Sequence, residues 1–549
     1  MSGVLDEAAA TWPDRDALVV PDQDLRWSWR ELRERARQVA AGLIAAGLKP
    51  GDRIGMLAPN RAEWLLAQFG TAYAGLILVN INPAYRQSEL EYALNKVGCR
   101  ALITETQFKS SNYVAMLQSL APELTTSTRG DLHARQLPEL HIVIQLGSVG
   151  VAGMFSLDQI RGRANAESLA RLDSIAPQLD FDAPANIQFT SGTTGAPKAA
   201  TLTHHNMINN ARMSAAVMKF TEHDRLCIPV PMYHCFGMVL GTLLCASSGA
   251  AMVFPGDAFE AEATLRVVEA ESCTALHGVP TMFIAMLEQP GFEHYDLSSL
   301  RTGIMGGAPC PAEVMRRVID DMHMSEVTIA YGMTETGPLS TQTLPNDPID
   351  LRVGSVGRTL PHTEIKIVDE NDQILPLEQA GELCVRGYNV MLGYWEDRER
   401  TADDITPNRW IRTGDIATMD EAGYIRIVGR SKDMLIRGGE NVYPREIEDF
   451  LYTHPKIDQV EVVGVPDPKF GEEIAACIRL REGEQATEEE IRNYCRGKLA
   501  HFKIPRYVRF VDEFPMTVTG KVQKFILREQ LTKEFEQATR TSQPERAAS

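Results

Sequence analysis

Several common signatures are missing from this chain. It has no Cys-x-x-Cys pair, and its nine cysteines (Cys99, Cys227, Cys235, Cys245, Cys273, Cys310, Cys384, Cys477 and Cys495) are scattered and odd in number. That argues against a disulfide framework or a cysteine-built metal site and leaves reduced thiols in a cytoplasmic protein as the expected state. There is no excess of positive charge: 55 Lys and Arg face 73 Asp and Glu, a net charge of −18. A field of that sign repels nucleic acid and anionic membrane surfaces, so neither is an expected partner, and any anionic substrate must be held by local donors. There is no uninterrupted apolar run of membrane length. The most apolar window, 237–254, is broken by Gly241, Ser247, Ser248 and Gly249 and reads as a buried helix and then a strand, so no integral membrane segment is expected. Met1 to Trp12 lacks the basic and apolar regions of a signal peptide. Internal repeats and long low-complexity segments are also missing; only the tail from about Ala538 is polar enough to read as disordered.

What the chain does hold is 549 residues, 44% apolar and 23% charged. That balance is ordinary for a globular enzyme, and the length is too great for one core, so about two to four domains are expected. The most distinctive stretch is 187–203. Ile187 to Phe189 reads as a strand entering a run of Thr190, Ser191, Gly192, Thr193, Thr194, Gly195, Ala196, Pro197 and Lys198. Thr201 to Thr203 leaves the run, and a helix-like segment follows from His205. Glycine lets backbone N–H groups approach an oxyanion, the hydroxyls add donors, and Lys198 adds a point charge, so the run suits a polyanion. It is not a Walker A loop, because Lys198 lies three residues after Gly195 and is followed by Ala199.

Four more stretches follow in order. They are Tyr331-Gly332-Met333-Thr334-Glu335-Thr336; Thr413-Gly414-Asp415; Gly429 to Asn441, with Arg430, Lys432 and Gly438-Gly439-Glu440; and Pro515 to Lys524 around Gly520-Lys521. Together with the loop they resemble the adenylate-forming superfamily of acyl-CoA synthetases, luciferases and peptide-synthetase adenylation domains, over essentially the whole chain. The resemblance implies ATP bound by Thr190, Ser191, Gly192, Thr193, Thr194, Gly195 and Lys198, by Gly307 and Ala308 of the Met305-Gly306-Gly307-Ala308-Pro309 segment, and by Tyr331, Gly332, Asp415 and Arg430. The chemistry of these side chains agrees with such roles. Tyr331 offers a flat face for adenine, Thr334 can donate to the α-phosphate, Asp415 suits a cis-diol, and Glu335 supplies one hard carboxylate for Mg²⁺. By resemblance Lys521 is the catalytic lysine, Lys432 a hinge, and Gly438, Gly439 and Glu440 a turn that faces the site during thioester formation with coenzyme A. His234, in Met232-Tyr233-His234-Cys235-Phe236-Gly237, would border the acyl group or serve a structural role. Phe236, Leu240 and Gly241 would line the acyl tunnel. Lys503 and Lys524 read as solvated lysines, with CoA phosphates as the alternative.

The coarse pattern is α/β. Ser28-Trp29-Arg30-Glu31 is a capping box before a helix with Leu32, Ala36, Val39 and Leu43 on one face. Short apolar strands at 53–57 and 76–81 bracket a second helix at 61–74, as parallel sheets covered by helices require. Trp29 and Trp64 read as core anchors. The resemblance implies a large N-terminal AMP-binding domain, 1–431, of layered α/β subdomains plus a small β-barrel-like one, and a small mobile α+β domain, 432–549, that carries Lys521.

The function expected is ATP-dependent activation of a fatty acid, closest to the medium-chain acyl-CoA ligases, through an acyl-adenylate to the CoA thioester. Small residues Gly237, Gly241 and Cys245 favour an open apolar tunnel; aryl or thioether acids stay open as substrates. A carrier-protein acceptor is the second reading, luciferase chemistry a remote third, and a decayed nucleotide-binding site is opposed by the presence of Glu335, Asp415 and Lys521. The sequence carries no signal for oligomeric state, and a homodimer is admissible.

Overall fold

The computed structural model describes residues 1–147, 150–190, 197–430, 432–437, 440–467, 470–516 and 522–541. The chain forms two compact units, Met1–Ile365 with Val385–Ile411, and Lys366–Cys384 with Arg412–Ser549.

The first unit is built on two sheets. Among the described residues, each has six parallel strands. In the nine-stranded sheet these are Glu326–Gly332, Thr302–Gly306, Ala275–Leu276, Arg225–Cys227, Ala251–Val253 and Asp16–Val20. In the eight-stranded sheet they are Pro184–Thr190, Ile77–Asn80, Arg53–Leu57, Cys99–Thr104, Ile142–Gln145 and Phe155–Ser156. Antiparallel strands extend the edges, among them Lys198–Thr203 beside Pro184–Thr190 and Gly393–Tyr394 beside Lys198–Thr203. The parallel strands are covered on both faces, so they read as continuous apolar runs rather than alternating ones.

Helices between the sheets follow the expected signals. The capping box at Ser28 and Glu31 starts Trp29–Ala45, whose buried face carries Trp29, Leu32, Ala36, Val39 and Leu43. Glu63–Ala74 is buried on nearly all sides and centres on Trp64 and Phe69. Trp29 and Trp64 are fully buried, as anchors should be. One main core joins side chains of both sheets, such as Val19 and Ile304 with Ile54 and Ile103. The helix after the loop is His204–Val217, opened by a reciprocal cap between Thr203 and Asn206. The apolar window at 237–254 differs in detail from a plain helix: Phe236–Leu243 is a π-helix, then α-helical Leu244–Ser248 and the strand Ala251–Val253 follow. A π-turn carries an extra residue per turn, a shape that helical spacing in sequence does not distinguish.

The second unit contains a five-stranded sheet in which Gly471–Leu480 pairs with Ile457–Asp467, Leu435–Arg437 and, in parallel, Tyr507–Phe510. Helices Pro444–Leu451, Glu488–Cys495 and Lys524–Thr541 belong to it. The strands Thr363–Val368, Gly381–Gly387, Ile411–Met419 and Ile425–Arg430 form a four-stranded sheet where a small barrel-like element was expected. Lys503 and Lys524 are paired, which corrects the solvated reading. Lys503 Nζ lies 2.6 Å from both oxygens of Glu446, and Lys524 Nζ meets Glu448 and Glu461. Their acids come from distant parts of the chain, so no local pattern announced them.

Gly42 gives a test of the interhelical packing. In an open helix, Gly→Ala stabilises by about 1 kcal/mol. Here an added Cβ would lie 2.0 Å from the Ile160 carbonyl oxygen. Gly42→Ala should therefore lower the urea midpoint, by an amount equivalent to about 1–3 kcal/mol; a raised midpoint would refute this packing.

Candidate active site

Ligand crevices in open α/β sheets lie beyond the carboxyl ends of parallel strands, and several of the predicted residues stand at such ends in the first unit. Thr190 closes one such strand, Gly306 precedes Gly307 at the end of another, and Tyr331-Gly332 closes a third. Gly307 is exposed and holds φ at +88°, a left-handed conformation that glycine adopts without strain. Ala308 and Tyr331 are half-buried and Gly332 is exposed.

Glu335 is the centre of the first unit's polar cluster. It lies in the short helical turn Thr334–Thr336 directly after the strand and is only 6% exposed. Its Oε1 accepts from the Thr190 hydroxyl at 2.9 Å and from the Tyr394 phenol at 3.1 Å. The same phenol is 2.8 Å from Asp404 Oδ2. Lys198 Nζ donates to Asp404 at 2.8 Å and to the Tyr394 oxygen at 3.1 Å, and it also lies over the Tyr394 ring. Burial, then the charge of Glu335, pushes the Tyr394 phenol well above its ordinary range, so it stays protonated and can donate to either carboxylate. The cluster thus joins the two ends of the glycine-rich run, Thr190 and Lys198, to the carboxylate of Glu335.

The residues expected on the acyl side form a second group. His234 Nδ1 accepts from the Phe236 backbone N–H at 3.1 Å, which leaves the Nε2 nitrogen to carry the proton in the neutral ring. Cys235 Sγ is 3.7 Å from both His234 Nδ1 and Thr334 Oγ1. Phe236 packs at 5.5 Å on the ring of His277, which is fully buried. The Ile304 N–H donates to His277 Nδ1 at 3.0 Å, so Nε2 donates to the Leu240 carbonyl, 3.1 Å away. Leu240 is buried, and Gly241 fits against the Ile228 side chain. His277 therefore fixes the π-helix that supplies Phe236, Leu240 and Gly241.

In the second unit, Asp415 and Arg430 face each other across an antiparallel pair of strands. Asp415 is 6% exposed and accepts from Arg430 Nε at 3.0 Å, while the Arg430 side chain is largely exposed. Lys432 is exposed. Leu435–Arg437 and Glu440–Val442 pair in register, Arg437 opposite Glu440. Arg437 makes two bonds to the fully buried Glu473, at 2.8 and 2.9 Å. Ser191, Gly192, Thr193, Thr194, Gly195, Gly438, Gly439 and Lys521 lie outside the described residues.

Tyr394, Asp404, His277 and the Arg437–Glu473 pair are additions to the sequence-based set. Asp404, on the short helix Arg398–Asp404, had no pattern to mark it. Among the described residues, no three His, Cys, Asp or Glu side chains gather as a resident metal site. A single, oriented carboxylate at Glu335 fits Mg²⁺ arriving with ATP, since Mg²⁺ takes one or two carboxylates beside substrate phosphates and water.

The family model described as AMP-binding enzyme matches residues 5–395, and the AMP-binding enzyme C-terminal domain matches 446–521. The chain is 48% identical over 527 residues to the mitochondrial medium-chain acyl-CoA ligase ACSF2 of Danio rerio, covering 95% of this chain and 87% of that protein. It is 49% identical over 533 residues to YngI of Bacillus subtilis (strain 168), covering 97% of each. The crystal structure of the anthranilate CoA ligase AuaEII in complex with anthranoyl-AMP matches with a TM-score of 0.85 at 27% identity, over 97% of this chain and 98% of that one. The chain belongs to the AMP-binding, adenylate-forming enzyme family. It is an AMP-forming acid–thiol ligase, which uses ATP to convert an acid to its CoA thioester through an acyl-adenylate. No helix among the described residues is long and apolar enough to cross a membrane.

Tyr394→Phe keeps the ring and deletes the hydroxyl. A hydrogen bond to a charged group contributes about 1.5–3 kcal/mol, so kcat/KM for adenylation should fall about 10- to 10²-fold; an unchanged value would mean that the cluster does not orient Glu335. His277 gives a pH test. Burial pushes its imidazole down from 6.5 to about 4, so between those values the unfolded chain binds the extra proton. Stability from this residue is complete above the unfolded value of 6.5 and declines as pH falls toward 4. Comparing urea unfolding of wild type and His277→Gln across that window should show a steeper acid decline in wild type; parallel curves would contradict the buried neutral ring.

Proposed function

We propose that the acid this enzyme activates is a medium-chain fatty acid and that the predicted residues divide between two half-reactions. The observation that carries the substrate class is the 48% identity, over 95% of the chain, to the medium-chain acyl-CoA ligase of Danio rerio. The apolar Phe236–Leu243 segment, with Leu240 and Gly241 held by packing and by His277, supports an apolar chain in that position. Nine free cysteines, eight of them buried, support a reducing compartment, and the cytoplasm is the location proposed.

In the first half-reaction a carboxylate oxygen attacks the α-phosphorus of Mg-ATP, and pyrophosphate leaves. The acid is already ionised at neutral pH, so no general base is required; the difficulty is bringing two anions together. Thr190 to Gly195 and Lys198 supply donors and charge, Thr334 donates to the α-phosphate, and Glu335 receives the metal of Mg-ATP. Tyr331, Gly307 and Ala308 take the adenine, while Asp415 and Arg430 take the ribose and its phosphate. Lys521 neutralises the charge that grows at the α-phosphate. In the second half-reaction the CoA thiolate attacks the acyl carbonyl carbon and AMP leaves. The segment from Lys432 onward turns as the C-terminal domain, 432–549, withdrawing Lys521 and presenting Gly438, Gly439 and Glu440. His234 borders the reacting carboxylate.

Lys521→Ala should lower adenylation by about 10²–10³-fold and retain thioester formation from supplied acyl-adenylate; equal losses in both would refute the division. Mass detection of products from C2 to C18 and aryl acids, with and without CoA, should give acyl-CoA with a maximum at medium chain length. A maximum at acetate or at an aryl acid would overturn the substrate class, and acyl-AMP that never reaches CoA would overturn the acceptor.

A further inference from the structure

The second unit holds a charge cluster that the reaction as described leaves unused. Lys524 is the first residue of the helix Lys524–Thr541. A cation there faces the positive end of the helix dipole, a position that disfavours it. Lys524 is nevertheless inserted between two carboxylates: its Nζ is 2.5 Å from Glu448 Oε1 and 3.4 Å from Glu461 Oε2. Glu448, on the helix Pro444–Leu451, is 6% exposed, and its Oε1 also accepts from the Val462 N–H at 2.7 Å. Glu461 lies on Ile457–Asp467, an edge strand of the five-stranded sheet. One lysine therefore ties the start of the last helix to a helix and a strand of the domain's core.

The chain just before this anchor is closed at its base. Met516 and Val522 form an antiparallel bridge, and the Gln523 N–H donates to the Pro515 carbonyl at 2.7 Å. Lys521 precedes Val522 and lies three residues before Lys524. The fixed points thus bracket the segment that carries it: the bridge at both ends and the buried ion cluster immediately after.

We propose that Lys524 is a positioning residue for adenylation, the Lys524–Glu448–Glu461 cluster being the anchor that sets where Lys521 is delivered. This rests on Lys521 being the adenylation lysine. The anchor lies on the side of the domain's segment that carries Lys521, whereas the Gly438-Gly439 turn is fixed by a separate pair, Arg437 with Glu473. Loss of the Lys524 anchor should therefore harm one half-reaction and spare the other. Burial, then the charge of Glu448, pushes the Glu461 carboxyl up to about 7, and Lys524 opposes that rise, as does Arg445. Removing the lysine takes away the ties that hold the start of the helix Lys524–Thr541 to Glu448 and Glu461.

The test compares Lys524→Met, Lys524→Arg, Glu448→Gln and Lys521→Ala in the full-length enzyme. Each is assayed for pyrophosphate release from Mg-ATP and octanoate, and separately for octanoyl-CoA formation from supplied octanoyl-AMP and CoA. Misplacement of a reacting group by about 1 Å costs about 10²-fold, so Lys524→Met should lose about 10- to 10²-fold in adenylation kcat, with KM for ATP unchanged and thioester formation unchanged. Glu448→Gln should show the same selectivity with a smaller loss, which keeps the test decisive if Lys524→Met folds poorly, and Lys524→Arg should restore most of the rate. Parallel losses in both half-reactions, or none, in Lys524→Met and Glu448→Gln, while Lys521→Ala is selectively impaired, would overturn the anchor and leave the lysine's role standing. Intact adenylation in Lys521→Ala would instead overturn the underlying reading and the anchor with it.

Discussion

Two anions must come within bonding distance in a chain whose own net charge is −18. Neither the acid nor ATP is drawn in by the global field, so the reaction depends on local, preorganised positive charge and hydrogen-bond donors. The first unit answers this with a compact network. Lys198 and Thr190 bracket the glycine-rich run and meet at Tyr394, Glu335 and Asp404. In it one lysine and a neutral phenol face two carboxylates. Such a cluster is oriented before substrate arrives, and its carboxylate at Glu335 is pinned on one oxygen. Preorganisation of this kind is what lets a charged site act without rearranging its own dipoles during the reaction.

The scaffold makes this possible by ending parallel strands at the right places. Two sheets, each with six parallel strands among the described residues, leave the ends of Pro184–Thr190, Thr302–Gly306 and Glu326–Gly332 to carry Thr190, Gly307 and Tyr331. The core between the sheets is apolar and close-packed, so these ends have little freedom to shift. A buried histidine extends the same logic to the segment proposed for the acyl side. His277 joins the Ile304 N–H of one strand to the Leu240 carbonyl of the π-helix and stacks on Phe236. Within the second unit the same device recurs as ion pairs, Arg437 with Glu473 and Lys524 with Glu448 and Glu461, each beside a segment assigned to a different half-reaction.

Most of the scaffold was legible in the sequence because its signals are local. The capping box at Ser28 and Glu31 and the apolar strands near 54, 78 and 187 needed only neighbouring residues to be read. The motif residues stand out for a different reason: glycine, hydroxyl and carboxylate side chains in fixed order suit a phosphate chemistry. What sequence could not supply was partnership across long separations. Asp404 is 206 residues from Lys198, and Tyr394 is 59 from Glu335. Lys524 read as solvated because its carboxylates stand 76 and 63 positions away. The π-helix at Phe236–Leu243 escaped because its apolar residues satisfy an α-helical spacing equally well.

The most direct measurement of the central claim follows an oxygen atom. The acid, labelled with ¹⁸O in both carboxylate positions, is converted with Mg-ATP and CoA, and the products are analysed by mass. If the carboxylate attacks the α-phosphorus, the bridging oxygen departs with the nucleotide, so AMP gains one ¹⁸O and pyrophosphate none. Label in pyrophosphate, or AMP without label beside a normal yield of thioester, would mean that the acid is activated by another route and that the charge-neutralising site described here serves a different reaction.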